Sequence, residues 1–379
     1  MNMFKIPESI YFGENAMEAL KTLQGRKAII VTGGSSMKRF GFIAQTQELL
    51  GAAGIDSIVF DGVEPNPSVQ TVVKGAQAMR DFEPDWIIAI GGGSALDAAK
   101  IMWCFYEHPQ LGFEDIIPVA SMPALRNKAK FVAIPSTSGT ASEITAFSVI
   151  TDLENHIKYP IVSPHIVPDV AIIDPALPAK MPPHITANTG MDVMAHALEA
   201  FVSTVANDYS DPLAMRAIKL VFENIETAYK QGDDMPARDN MHNASTLAGM
   251  AFSNVSLGLV HSLAHKIGGE FGVTHGLANA ILMPYIIEYN KQSTDKYAEV
   301  ERYLAIESIE NELRALNAKL DIPLTFKEIS EVEISEEDYL AVLDRMSQNA
   351  FDDPCTLTNP GTPSPADVRE IYRRAYYGQ

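Results

Sequence analysis

Trp86-Ile-Ile-Ala-Ile-Gly-Gly-Gly-Ser-Ala-Leu-Asp-Ala-Ala-Lys100 decides the fold class. An uninterrupted apolar run meets three glycines, and a helical pattern over 95–106 follows at once. A strand apolar on both faces belongs to a parallel sheet covered on both sides. The same punctuation recurs to either side. Lys27-Ala-Ile-Ile-Val-Thr32 runs into Gly33-Gly-Ser-Ser36, and Ser57-Ile-Val-Phe60 runs into Val63-Glu-Pro-Asn-Pro67. Phe131-Val-Ala-Ile134 runs into Pro135-Ser-Thr-Ser-Gly139, and a further helical pattern covers 69–80. Strands alternating with helices predict an α/β sheet whose ligands bind at the strand carboxyl ends, where these Gly/Ser loops fall.

The rhythm changes near Pro182-Pro183. Beyond Ile185 the pattern predicts helices alone, over 191–205, 212–229, 240–252, 257–270, 277–289, 294–320, 336–350 and 365–376. Ser335 with Asp338 resembles a capping box for one of them. The expected organisation is an α/β domain over 1–182 and an all-α domain over 183–379, with an active site between them.

Composition narrows the partners. The 379 residues carry 29 basic and 48 acidic side chains, a formal net charge of −19. Nucleic acid and anionic membranes need clustered Lys and Arg, so neither is expected as a partner. Two cysteines, Cys104 and Cys355, cannot build a disulfide framework or a CxxC metal knuckle. The start lacks the basic-then-apolar pattern of a signal peptide, and no apolar stretch reaches the ~18 residues of a membrane span. A cytoplasmic protein is expected.

In such an acidic chain, phosphate must be held by local geometry. The Gly91-Gly-Gly-Ser94 turn offers it: glycines admit close approach, and the helix amino end presents N–H groups and partial positive charge. The same residues are also consistent with a tight strand-to-helix turn capped by Ser94. Ser136-Thr-Ser-Gly-Thr140, beyond the next strand, would face the same crevice. Nine histidines supply the other signal. Asp192 and His196 are four apart and so share a helix face, and His261 and His265 repeat that spacing, with His275 ten residues on. A carboxylate and several imidazoles converging across helices would hold a divalent transition metal. Any one of them would serve equally as a hydrogen-bonded core or surface histidine, and spacing leaves open which are ligands.

The blocks GGGSALDAAK, PSTSGTASE, TGMDVMAHALEAF and GLVHSLAHKIGGEFGVTHGLANA, in that order along the chain, resemble the iron-containing (group III) alcohol dehydrogenases. Lys100-Ile-Met-Trp, Tyr106-Glu-His-Pro109, Lys158-Tyr-Pro160 and Phe351-Asp-Asp-Pro-Cys355 are similar to the alcohol dehydrogenase half of bifunctional aldehyde–alcohol dehydrogenases, here expected as a stand-alone protein. The resemblance implies a Rossmann-like dinucleotide-binding N-terminal domain and a metal-binding C-terminal one. It also implies metal ligands at Asp192, His196, His261 and His275, with His265 as a non-ligand proton relay. Fe(II) is the implied metal, and Zn(II) would also suit an Asp/His₃ set. Gly92, Gly93, Ser94 and Asp97 match the pyrophosphate loop, and Ser136, Thr137 and Thr140 match the second loop. Lys158 matches a lysine near the nicotinamide ribose, and Asn66 lies in the matching Val63-Glu-Pro-Asn-Pro-Ser68 turn. Phe147, Phe252 and Cys355 align with the alcohol pocket, though each would also serve as core packing.

One departure concerns the cofactor. NAD-preferring relatives carry an acidic residue after the first strand, where this chain has Gly33, followed by Ser35, Ser36, Lys38 and Arg39. Without a carboxylate to repel a 2′-phosphate, NADP(H) is favoured over NAD(H). The expected reaction is reversible hydride transfer between NAD(P)H and a small primary alcohol or aldehyde, in a homodimer or higher homo-oligomer. A glycerol-type polyol dehydrogenase is the alternative. A cyclase of the dehydroquinate-synthase type would need basic residues around its phosphorylated substrate, and the metal blocks are mostly apolar.

Overall fold

The computed structural model describes residues 3–154 and 157–379. The chain divides into two units, one ending at Lys180 and the other starting at Met181. The first contains β1 (Ser9–Phe12), β2 (Lys27–Gly33), α1 (Ser36–Arg39), α2 (Phe42–Ala52), β3 (Asp56–Val63), α3 (Val69–Phe82), β4 (Trp86–Gly91) and α4 (Gly93–Glu107). It continues through β5 (Lys130–Pro135), β6 (Phe147–Asp152), β7 (Ile157–Val162) and β8 (Val170–Ile173). Six strands form one sheet in the order β1-β8-β5-β4-β2-β3, every pairing parallel. The strand order reverses between β2 and β4, and the loops after these strands flank the carboxyl-end crevice where ligands of such sheets sit.

Alternation along the buried strands divides the core in two. Ile29, Val31, Ile87, Ala89 and Phe131 face one layer with α3 and α4. Ala28, Ile30, Ile88, Ile90, Val132 and Ile134 face the other with α2. This double burial is why these strands read as unbroken apolar runs.

Four strands escaped the sequence pattern. β1 and β8 have only four residues each, and β6 and β7 form a separate antiparallel ribbon with partly exposed faces. β3 extends from Asp56 to Val63, beyond the expected Ser57–Phe60 core.

The second unit is helical: α5 (Pro183–Val202), α6 (Asp211–Lys230), α7 (Met235–Val255), α8 (Leu259–Phe271), α9 (His275–Asn290), α10 (Lys296–Leu304), α11 (Ile309–Lys319), α12 (Glu336–Phe351) and α13 (Pro365–Tyr377). No strand follows β8 among the described residues. The first helix starts at Pro183 and ends at Val202, instead of spanning 191–205. The single helix expected over 294–320 is two, α10 and α11. Ala305 adopts a left-handed backbone (φ 55°), and the Ser308 hydroxyl accepts from the Asn311 N–H to start a new helix.

Two further corrections concern caps. At α12, Ser335 Oγ accepts from the Asp338 N–H, which is one half of a capping box; the complete box is Ser364 with Asp367 at α13. At α4 the N-cap is Gly92, so Ser94 lies inside the first turn and caps nothing. Among the described residues no single helix is long and apolar enough to cross a membrane.

Candidate active site

Asp192, His196 and Glu199 occupy one face of α5, at steps of four and three residues. His261 and His265 lie one turn apart on α8, and His275 opens α9. Close packing of α9 on α5 depends on Gly276, where a Cβ would stand 2.0 Å from the Asn188 carbonyl oxygen. That approach sets His275 beside Asp192.

Three imidazoles converge on one oxygen. Nε2 of His275, His261 and His196 lie 3.4, 3.6 and 3.9 Å from Asp192 Oδ1. Donors held ~2.1 Å from a tetrahedral ion stand ~3.4 Å apart. Asp192, His261 and His275, whose donor atoms all lie within 4.8 Å of one another, make a group that could hold a metal ion, and His196 stands at its margin. The Asn279 amide nitrogen joins the cluster, donating to Asp192 Oδ1 at 2.7 Å. Its Oδ1 is buried without a hydrogen-bond partner, which fits an ion-binding centre better than an apolar core. The Phe252 ring stacks on His196 at 4.2 Å, and His196 stacks on His261 at 4.6 Å.

Charge suits a cation here. Burial opposes ionisation of Asp192, but the surrounding His196, His275 and His261 pull its carboxyl well below the usual range. Burial likewise disfavours charged His261, yet Glu199 and Asp192 flank the ring and carry it up to about 9. Glu199 Oε2 meets His261 Nδ1 at 2.5 Å, while Oε1 accepts from the Val260 N–H at 2.5 Å. A carboxylate holding Nδ1–H turns Nε2 toward the cluster as the ligating nitrogen.

His265 stands apart from this set. Its Nδ1 lies 3.2 Å from Asp353 Oδ2, which also accepts from Lys266 Nζ at 2.7 Å. Burial would raise the Asp353 carboxyl, but His265 and Lys266 hold it well below the usual range. Cys355 is half-buried, its N–H donating to Asp353 Oδ1 at 3.0 Å, and burial pushes its thiol well up. Of the remaining histidines, His108 Nε2 meets the Ala124 carbonyl at 2.8 Å, and His156 lies outside the described residues.

In the α/β unit, Gly91 (φ 147°), Gly92 and Gly93 lead into α4, whose amino end no side chain caps. The Ala95 N–H already donates to Gly92 O at 3.0 Å, so the Gly93 and Ser94 N–H groups are the ones an anion would use. Thr137 and Thr140 lie against Gly92 and Gly93, where a Cβ on Gly93 would meet Thr140 Oγ1 at 2.8 Å. The Ser136 N–H donates to Gly91 O at 2.8 Å, joining the two loops. Thr32 Oγ1, at the carboxyl end of β2, is buried without a hydrogen-bond partner. Asn66 and Lys158, far apart in sequence, meet at 2.8 Å through Oδ1 and Nζ.

Asp97 is occupied by its own chain, one oxygen accepting from Ser142 Oγ and the other from the Val149 N–H at 2.9 Å. Phe147 is half-buried at the start of β6, its carbonyl accepting from Lys100 Nζ at 2.8 Å. At Gly33 a Cβ would stand 2.4 Å from the Val63 carbonyl oxygen, where the β2–β3 register shifts. Neighbouring Lys38 and Arg39 are exposed on α1.

Three residues escaped the sequence reading. Glu199 was accessible, because it shares the Asp192–His196 helix face. Asn279 sits four residues after His275, a spacing equally readable. Asp353 approaches His265 from 88 residues away, and nothing local announces it.

The comparisons with known proteins agree along the whole chain. Residues 7–175 match the family profile "Iron-containing alcohol dehydrogenase", and 186–376 match "Fe-containing alcohol dehydrogenase family, C-terminal". The chain is 49% identical to the NADPH-dependent butanol dehydrogenase of Clostridium saccharobutylicum, covering 100% of this chain and 99% of that protein. It is 39% identical to the bifunctional aldehyde–alcohol dehydrogenase AdhE of Escherichia coli over 99% of this chain, spanning 46% of that longer protein. Among solved structures, the iron-containing alcohol dehydrogenase of Thermococcus thioreducens superposes with a TM-score of 0.92 at 35% identity, covering 100% of both chains. A 1,3-propanediol oxidoreductase gives 0.91 at 32% identity, covering 99% of this chain and 100% of that one. An imidazole–carboxylate cluster on packed helices and an uncapped glycine turn on a parallel sheet thus occur in a chain matched throughout to one family: it is an alcohol dehydrogenase and belongs to the iron-containing alcohol dehydrogenase family.

Proposed function

We propose that this protein interconverts small primary alcohols and aldehydes using NADP(H), with NAD(H) as the weaker cofactor. Fe(II) is the proposed metal, held by Asp192, His196, His261 and His275, and Zn(II) suits the same donors. The convergence of the three imidazoles on Asp192 Oδ1 carries this reading. When bound, a divalent metal supplies Lewis acidity toward an alcohol or carbonyl oxygen, and the nicotinamide carries the hydride.

The chain's own residues do the rest. Asp192 offers an ionised carboxylate, and Glu199 keeps His261 oriented through Nδ1. Phe252 packs the apolar flank of His196. His265, one turn beyond His261 and partly exposed, exchanges the proton with water or a cofactor hydroxyl. The glycine turns around 91–94 and 136–140 hold phosphate through backbone N–H groups. Lys158 and Asn66 meet the nicotinamide ribose, and Phe147, Phe252 and Cys355 line the alcohol pocket. Ser35, Ser36, Lys38 and Arg39, beside Gly33, receive the 2′-phosphate. The butanol dehydrogenase relative, NADPH-dependent by name, supports that preference. A cytoplasmic homo-oligomer completes the proposal.

The test is NADPH oxidation by acetaldehyde through butanal, using protein purified without oxygen and assayed with and without added Fe(II). NADPH-linked, metal-dependent turnover is expected, with slower turnover on NADH. No turnover on any aldehyde or alcohol would overturn the reading. The likeness to a 1,3-propanediol oxidoreductase supports a polyol alternative, so 1,3-propanediol and glycerol belong in the panel. A clear preference for either would favour that alternative.

A further inference from the structure

The segment after α12 is strapped onto the start of α8 and the residues just before it. Thr356 Oγ1 donates to Ser262 Oγ at 2.8 Å, Thr358 Oγ1 donates to Leu257 O at 2.6 Å, and Asn359 Oδ1 accepts from the Leu259 N–H at 3.3 Å. These bonds fix Asp353 against α8. Its Oδ1 is committed to the Cys355 N–H, and its Oδ2 faces His265 Nδ1 and Lys266 Nζ. The carboxylate is buried, whereas the His265 side chain is 41% exposed.

His265, Asp353 and Cys355 have donor atoms within 4.8 Å of one another, a make-up that would suit a soft metal ion. The Lys266 ammonium already sits on the Asp353 oxygen such an ion would need, so the trio is better read as a hydrogen-bonded support. An ionised carboxylate only accepts, and a neutral imidazole carries one N–H. Facing Asp353, that proton belongs on Nδ1, which leaves the lone pair on Nε2.

We propose that Asp353 is a positioning residue for His265, holding the Nδ1–H tautomer and the ring orientation so that Nε2 is the nitrogen that exchanges the substrate-derived proton. This rests on the proposed relay role of His265. No chemistry occurs at Asp353 itself.

Asp353→Asn tests it with little change of shape. The Lys266 ammonium would compete for the amide oxygen, so parent and variant are both compared in a Lys266→Met background. There the Cys355 N–H keeps that oxygen, and the amide NH₂ faces His265 and can only donate. The ring must then accept through Nδ1 and carry its proton on Nε2. Expected is a 10- to 100-fold loss of kcat, with KM for aldehyde and NADPH and the bound-metal stoichiometry within twofold of the parent. In zinc-loaded, ¹⁵N-histidine-labelled protein, the His265 resonances should change from the Nδ1–H to the Nε2–H pattern. Asp353→Glu, which restores an acceptor, should recover part of the lost kcat. In a His265→Ala background, Asp353→Asn should have no further effect on kcat.

Unchanged kcat or an unchanged tautomer in Asp353→Asn would overturn the proposal. So would metal loss parallel to activity loss, or an equal further loss in the His265→Ala background. If the parent protein turns over no alcohol or aldehyde, the functional reading fails, while the tautomer measurement still decides what Asp353 does to His265.

Discussion

Single side chains orient the proposed metal ligands from outside that set. Glu199 illustrates it: one oxygen holds His261 Nδ1 and the other holds the Val260 N–H, so the imidazole cannot rotate without breaking a buried bond. Outer partners of this kind are worth 10- to 100-fold in metal affinity. Glu199→Gln should therefore weaken metal binding by about that factor, read by competition against a chromophoric chelator, with the helical circular dichroism unchanged. Wild-type affinity in the variant would show that His261 needs no such support. Spacing offered Asp192, His196, His261, His265 and His275 alike, and only the family resemblance set His265 apart from the other four. Which nitrogen of each ring faces the cluster was readable from neither, because rotamer and tautomer depend on neighbours in other helices.

Close contacts between elements hold the parts in register. On α9, Gly276 lies where a methyl group would meet the Asn188 carbonyl of α5. Gly276→Ala must push α9 away from α5 and draw His275 off Asp192. A stability loss of about 1–3 kcal/mol is expected from such overpacking, seen in urea denaturation, together with weaker metal binding. A variant with parental stability and affinity would mean that the helices part at no cost.

In the other unit, Lys100 of α4 anchors the approach to β6 by donating to the Thr145 and Phe147 carbonyls at 2.8 Å each. Burial pushes its ammonium down to about 8, against the pull of Asp97 and Glu143. In the unfolded chain it stays protonated to about pH 10.4. Between these values the unfolded state binds more protons, so this lysine makes stability rise with pH; below about pH 8 its contribution is level. The unfolding free energy of the parent relative to Lys100→Met should climb from pH 8 to 9.5, by at most ~1.4 kcal/mol per pH unit. A flat or falling difference would show that Lys100 stays charged in the fold.

At the scale of the molecule, the proposed reading divides the labour of binding between the two units. With a net charge of −19, the proposed phosphate recognition would fall to backbone N–H groups and a few local cations, and the candidate metal donors all come from α5, α8 and α9. Adding Zn(II) to metal-stripped protein should raise amide-exchange protection in those three helices and leave β2, β4 and β5 unchanged. The reverse pattern would place the metal elsewhere.

The alternation of buried strands with helices and the helical second half were determined by the sequence, because burial on both faces and helical spacing are local, periodic properties. The candidate donors came from spacing only as an open set, which the family resemblance narrowed. Tertiary structure decided what periodicity cannot express. It added β1 and β8 at and near the sheet edge, broke the helix at Ala305 and replaced Ser94 by Gly92 as the cap. It also closed Gly33 against Val63 and brought Asp353 to His265. Each of these depends on a contact or backbone conformation that gains its free energy only when distant segments are packed together, and no window of sequence contains both partners.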